Sequence, residues 1–408
     1  MCPGKLGTAC RSETLNEFAA RGAGVFRSEI PALALPGLVS CSVASRFWRV
    51  IGLFTVTPSI ALGGNFHCPR GKDMRDKIGR RRFLTGAAAA VITSSLSSRR
   101  AYSAIQPQVL RMGFINPRES QFGAGALEFA TYVEHNCGGR LRVELYPAGE
   151  TGGELEMCQD VAAGTLDMTF TSSAVFTAIA PELSIFDIPF LFRDLGHARA
   201  VMDGEIGKTA LARLEPKGIV GLAWGENGLR HLTTFDRAVR RPEDLKNLKL
   251  RVPQSEVMVA SFKAIGADVH SLPFPDLYAA LSSGSFQAEE NPIATIVATN
   301  FDRVQHYLCL TGHVYSPAAF LISKQVFERI SPEDRSALRA AGVAGSKASR
   351  AYLDRAEKSG LEELRRRGMK VVEDIDRPAF VASLVGLESQ FQKQFGKDKI
   401  DAIRAYGK

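Results

Sequence analysis

The chain has 408 residues, 45% of them hydrophobic and 23% charged, enough to bury two packed cores and too apolar for a disordered or fibrous protein. Its formal charge of +8 suggests an anionic macromolecular partner only until the charge is placed: residues 1–103 hold 15 Lys or Arg against 5 Asp or Glu, leaving 36 against 38 for residues 104–408. A near-neutral working region lacks the electrostatic footprint of a nucleic-acid-binding protein, so nucleic acid is not an expected partner.

The basic excess belongs to a leader. Gly79-Arg80-Arg81-Arg82-Phe83-Leu84-Thr85 has the twin-arginine export pattern, with Gly79 and Thr85 in place of the usual first Ser or Thr and final Lys. The apolar run Gly86 to Leu96 is too short to span a bilayer permanently, and Ala101-Tyr102-Ser103 sets small residues where a signal peptidase reads. Cleavage is expected after Ser103 or Ala104, with the mature chain in the periplasm; the alternative is an uncleaved basic-apolar anchor. Met74 opens a conventional basic n-region, so residues 74–103 read as the signal peptide and residues 1–73 as an over-long start. Cys2, Cys10, Cys41 and Cys68 fall in that over-long start. The other three, Cys137, Cys158 and Cys309, have no metal-ligand spacing, so buried free thiols are expected, with no metal and no cofactor.

From Val109 the pattern is α/β. Val109 to Phe114 predicts a strand, Gln121 to Asn136 a helix stopped at Gly138-Gly139, Arg140 to Tyr146 a half-buried strand, Glu154 to Ala163 a helix and Met168 to Ser172 a strand. Pro181 to Phe192 is apolar and broken by two prolines, the signature of a segment crossing beneath a cleft. A helix is expected around Ala198 to Leu214 and a strand over Ile219 to Trp224. A hinge crossover follows at Gly225 and Gly228, then a further strand, Leu229 to Thr233. A second α/β unit runs through strand Leu248 to Val252, helix Glu256 to Ile265, strand Ala267 to Leu272, helix Asp276 to Ser283 and a short strand into Glu290. Near Ser316-Pro317 the chain crosses back through a strand, Ala318 to Ser323. Ser331-Pro332-Glu333-Asp334 then caps a helical tract reaching Arg367, long enough to span two lobes.

Two short stretches carry the chemistry. In LKLRVP, Leu248, Leu250 and Val252 alternate with Lys249 and Arg251, and Pro253 ends the strand just after the arginine. EENP sets Asn291 beside a rigid proline. A guanidinium fork matches both oxygens of a carboxylate and an amide orients it, so Arg251 and Asn291 together read as a carboxylate grip. Trp224 and Glu226, beside the crossover, are candidates to line the cleft; a structural tryptophan and a solvated glutamate are the alternative. Asn116, after the first strand, is a candidate contact from the other side. His231 follows Arg230 on its strand and is expected to face away and pack.

Four blocks together, NGLRHLTT (Asn227 to Thr234), RRPEDLKNLKLRVPQSEV (Arg240 to Val257), KAIGADVHSLPFPDLYAALSSGSFQAEENP (Lys263 to Pro292) and YLCLTGHVYSPAAFLIS (Tyr307 to Ser323), resemble the extracytoplasmic solute-binding proteins of TRAP transporters. The resemblance covers residues 105–408 and implies a two-lobed periplasmic-binding-protein-like fold with a hinge and a long helix spanning both lobes. Lobe I is expected over 105–227 and 317–356, lobe II over 228–316 and 357–408. It further implies a small organic acid, dicarboxylates among the class, delivered to membrane-embedded TRAP permease subunits. It makes Arg251 the main salt bridge to the ligand carboxylate, Arg230 a second contact, Asn291 the completion of the anchor, Phe274 a ring packed on the ligand and Ser172 a ligand-selecting residue. Gln287-Ala288 departs from the usual Asp-Gly before the acid-Asn-Pro, and Pro275 replaces a polar residue, which leaves loop geometry and ligand identity open. The competing classes are a periplasmic enzyme acting on an organic acid and a ligand-binding sensory module. The sequence holds no GxSxG elbow, HExxH pair or phosphate loop.

Overall fold

The structure is a computed structural model that describes residues 106–407; the expected leader, its cleavage point and residues 1–73 lie outside them. The strands are β1 (Gln108–Gly113), β2 (Leu141–Tyr146), β3 (Met168–Ser172), β4 (Ile219–Thr234), β5 (Lys249–Val252), β6 (Asp268–Ser271), β7 (Ala288–Pro292), β8 (Tyr307–Ser323) and β9 (Lys370–Val372). The helices are α1 (Gln121–Asn136), α2 (Glu154–Ala163), α3 (Leu195–Asp203), α4 (Glu205–Ala212), α5 (Glu256–Ile265), α6 (Leu277–Ser282), α7 (Ile293–Ala298), α8 (Lys324–Arg329), α9 (Pro332–Arg366), α10 (Arg377–Ser383), α11 (Val385–Phe395) and α12 (Lys397–Ala405).

All nine strands join one mixed sheet in the order β2-β1-β3-β8-β4-β7-β5-β6, with β9 on β8. β1 runs parallel to β2 and β3, and β5 parallel to β6 and β7. Between these parallel groups β4 and β8 pair antiparallel from Ile219↔Ser323 to Thr234↔Tyr307. Each long strand changes neighbours along its length: β8 meets β3 at one end and β9 at the other, while the far end of β4 takes β7. The sheet therefore has two halves that share two strands. Four apolar clusters cover it, two on each half.

The expected break at Gly225 and Gly228 is not a break. Both glycines lie within β4, and they are needed for close approach: a Cβ on Gly225 would stand 2.7 Å from the Phe170 ring, and one on Gly228, at φ 131°, 2.9 Å from Pro292. The crossing instead uses a register shift between Glu226 and Gly228. That shift leaves Asn227 out of the ladder, its amide donating to Ser316 Oγ at 3.2 Å. Pro317, expected at the return, sits within β8 opposite Glu226. The single helix expected over Ala198 to Leu214 is two, α3 and α4, divided at Gly204, where the Tyr406 hydroxyl leaves no room for a Cβ.

The long helix α9 forms as its cap predicts: Ser331 Oγ accepts from Asp334 N–H at 3.1 Å, with Pro332 in the first turn. It runs 35 residues, with Leu338 and Ala341 in a cluster of the first half and Leu364 in one of the second. Small residues let it lie close. The C-terminal stretch, expected on one lobe, divides: Phe380 of α10 packs among second-half residues, whereas Phe391, Phe395, Ile400 and Ile403 of α11 and α12 pack against Leu183 to Phe192. Cys137, Cys158 and Cys309 are free and buried. No helix among the described residues is long and apolar enough to cross a membrane.

The close approach of α9 gives a test. A side chain at Gly345 meets Gly125 O and the Phe320 ring, each at 2.7 Å, while one at Gly386 meets nothing within 4 Å. Gly345→Val is expected to lose about 1–3 kcal/mol in urea unfolding, and Gly386→Ala to be neutral or to gain up to about 1 kcal/mol. Equal stability of Gly345→Val and the parent protein contradicts the packing described.

Candidate ligand-binding site

β5 is buried on both faces except at Lys249, so Arg251 is enclosed rather than displayed, with 2% of its surface exposed. Its Nε and Nη2 donate to the carbonyl of Leu272, at 2.9 and 2.6 Å, just after the parallel neighbour β6. Among the described residues no carboxylate lies within 4.0 Å of it and Nη1 has no hydrogen-bond partner. The Phe274 ring, half-buried, lies 5.9 Å from the guanidinium carbon. Burial without a paired anion pushes the Arg251 pKa down to about 10. It remains a cation at neutral pH, held out of water.

Arg230, from β4, has a different setting. Its Nε and Nη2 grip the Glu290 carboxylate at 2.5 and 2.8 Å, and Nη2 also reaches Asn291 Oδ1 at 3.2 Å. Burial opposes its charge, but the field of Glu290 overrides it and the pKa is raised. Glu290 is in turn lowered: its burial is outweighed by Arg230 and by a hydrogen bond from His313 at 3.1 Å. The other end of Asn291 donates from Nδ2 to Glu289 at 2.6 Å, and Glu289 accepts from Thr233 Oγ1 at 2.6 Å. The short strand β7 is thus buried throughout, and Glu289 and Glu290 fix the Asn291 amide and Arg230 in place. Burial raises Glu289 to about 7 and lowers His313.

The first half brings polar groups against this cluster. Asn116 Nδ2 donates to Thr295 Oγ1 on α7 at 3.0 Å, and Gln121 reaches the same hydroxyl at 2.9 Å. Ser172, at the end of β3, gives its backbone N–H to Glu154 at 2.7 Å. The loop leading into α2 meets the turn that carries Phe274: a Cβ on Gly149 would stand 3.3 Å from Pro275, and one on Gly153 3.9 Å from Pro273. Asp187, in the proline-broken segment, accepts from Ser173 at 2.9 Å and from Ser255, the cap of α5, at 2.8 Å. Burial raises Asp187 to about 6.

Arg251, Arg230, Asn291 and Phe274 therefore share one locality, with Asn116 and Ser172 on the facing elements. Trp224 and Glu226 stand apart. Trp224 packs edge-on to Phe186 at 5.7 Å and donates to Gly207 O at 2.8 Å. Both oxygens of Glu226 are held by Arg199, at 2.7 and 3.0 Å, with Tyr315 3.4 Å away. The glutamate is buried and paired, neither solvated nor facing a cleft. His231 faces away from Arg230 as expected, accepting from Gly312 N–H at 3.1 Å. Glu154, Glu289, Glu290, Asp187, Gln121, Thr295 and His313 belong to the locality and escape sequence reading. Acidic residues at a helix start or in a short strand look solvent-facing until their burial is known.

The geometry describes a buried cation on a backbone carbonyl, framed by amides and hydroxyls. Comparison with known proteins supplies its context. The family model of bacterial extracellular solute-binding proteins, family 7, matches residues 112–394. The chain belongs to that family. A solute-binding protein of Verminephrobacter eiseniae is 41% identical over 296 residues, 72% of this chain and 88% of the relative. The 2,3-diketo-L-gulonate-binding periplasmic protein of Escherichia coli is 33% identical over 316 residues, 78% and 92% of the two chains. The crystal structure of a TRAP periplasmic solute-binding protein from Polaromonas sp JS666, bound to D-erythronate, matches with a TM-score of 0.73 and 38% identity over 74% of this chain and 99% of that one. As a family 7 solute-binding protein the chain is of the TRAP type, whose members capture organic acids outside the cytoplasm.

The buried acids set a pH dependence. Glu289 titrates at about 7 when folded against 4.5 ordinarily, so the native state binds the extra proton between these values. Its contribution to stability is present below pH 4.5 and is lost as the pH rises through about 7. In urea unfolding, the stability of the parent protein relative to Glu289→Gln is expected to fall as the pH is raised across this window. A relative stability that grows with pH contradicts the burial of Glu289.

Proposed function

We propose that this solute-binding protein captures an organic acid in the periplasm by a salt bridge from Arg251 to its carboxylate, and delivers it unchanged to the membrane-embedded permease of a TRAP transporter. The observation that carries the reading is the state of Arg251: it is enclosed, it touches a carbonyl and no carboxylate, and burial lowers its pKa to about 10 while leaving it charged. An incoming carboxylate removes that penalty, and a group with no proton to transfer is suited to binding rather than turnover. Arg230 and Asn291 supply the second donors, Phe274 covers the ligand, and Ser172 and Asn116 meet the part remote from the carboxylate.

In this reading lobe I is 105–227 with 317–356 and carries α11 and α12, lobe II is 228–316 with 357–383, and the ligand lies between them. The Asn116–Thr295 and Asp187–Ser255 hydrogen bonds and the approach of Gly153 to Pro273 are contacts of the closed form. The relatives that bind 2,3-diketo-L-gulonate and D-erythronate support an organic acid as the solute. Family membership supports the permease as the recipient and the extracytoplasmic side as the place of capture.

A thermal-shift screen of hydroxy, keto and dicarboxylic acids identifies a stabilising ligand, and calorimetry with that ligand tests the anchor. Arg251→Ala is expected to lose about 2–5 kcal/mol of binding. Arg251→Lys is not expected to restore it, because an ammonium cannot reproduce the fork on both the Leu272 carbonyl and the ligand. Undiminished affinity of Arg251→Ala, with an unchanged melting temperature, overturns the assignment.

A further inference from the structure

We propose that Glu154 is a specificity-determining residue that makes the site select polyhydroxylated monocarboxylates and reject diacids of the same chain length. The inference rests on the reading that Arg251 holds the ligand carboxylate, and it concerns the opposite end of the ligand. Glu154 opens α2 behind Gly152-Gly153, and the helix start favours its negative charge. It is 8% exposed. Its Oε1 accepts two hydrogen bonds, from Ser172 N–H at 2.7 Å and Thr171 Oγ1 at 3.1 Å. Two donors converging on one oxygen fix the carboxylate's orientation. Its Oε2 has no hydrogen-bond partner among the described residues and is not among the fully enclosed unpartnered atoms. It therefore faces accessible space.

The start of α2 borders the Arg251 locality. Gly153, the residue before Glu154, lies against Pro273, which stands between Leu272, whose carbonyl holds Arg251, and Phe274. The charge of Glu154 acts on both Arg251 and Arg230 although it touches neither. A ligand bound by its carboxylate on Arg251 extends toward a fixed anion that can only accept hydrogen bonds. A hydroxyl donates to it. A second ligand carboxylate meets a like charge in a partly desolvated cleft, where repulsion is little screened.

The test uses matched pairs that differ only at the far terminus: D-erythronate against meso-tartrate, and galactonate against galactarate, measured by calorimetry with the full mature protein. At least one aldonate is expected to bind, and at least about a hundredfold more tightly than its diacid. In Glu154→Gln, which keeps an acceptor for Ser172 and Thr171, the preference for the aldonate is expected to collapse to within about tenfold, with the melting temperature little changed. Equal binding of a diacid and its aldonate, binding of neither aldonate, or an intact preference in Glu154→Gln overturns the proposal. The first result needs no variant, so a destabilised Glu154→Gln leaves the proposal testable. Loss of all binding in Arg251→Ala bears on the carboxylate anchor alone, so failure of the anchor and failure of the selector are separately visible.

Discussion

The structure is organised around a guanidinium kept out of water without an anion of its own. Moving a cation from water into a protein interior is costly, and proteins normally offset the cost with a contacting carboxylate. Arg230 has one in Glu290; Arg251, one strand further on, has only a carbonyl dipole. The fold can sustain this because the surrounding elements are over-determined. β5 is fixed between β6 and β7, the Leu272 carbonyl is oriented by the parallel pairing of β6, and β7 is locked by its own network of two glutamates, an asparagine and a threonine.

The two shared strands explain how such a site is shaped from two directions. β4 delivers Arg230 to the second half while its other end carries the first half, and β8 runs beside it throughout. Between the halves the ladder shifts register at Glu226 to Gly228, opposite Ser316 and Pro317, and Asn227 leaves the pairing. A glycine at positive φ, an asparagine outside the ladder and a proline without an amide hydrogen meet at that crossing, one of three register shifts along the pair. The helix α9 packs on both halves.

Much of this is legible in the sequence, for reasons that differ between elements. The boundaries of α1, α2 and α5 follow from periodicity, caps and stop glycines, and the burial of Arg251 and Asn291 in one locality matches their reading as a pair at strand ends. Gly225 and Gly228 mislead, because a glycine required for close packing inside a strand has the same sequence appearance as one that ends it. The split at Gly204 depends on Tyr406, two hundred residues away, and no local window reports it. The buried acids are invisible for a similar reason: EENP shows two glutamates, but only the pairing of β7 with β4 places one against Arg230 and the other beneath Asn291. Family resemblance pointed to Arg230, Phe274 and Ser172, which the fold places in or beside the locality of Arg251; for Glu226 and Trp224, position near the crossover was insufficient, since Arg199 and Phe186 claim them from other elements.

The central claim is that Arg251 is held unpaired in order to receive a carboxylate. The most direct measurement is a crystal structure of the protein with an acid found to stabilise it. The account predicts a ligand carboxylate oxygen within about 3 Å of Arg251, with the Leu272 carbonyl still accepting from Nε. A ligand whose carboxylate lies elsewhere, with Arg251 bonded only to Leu272, contradicts it.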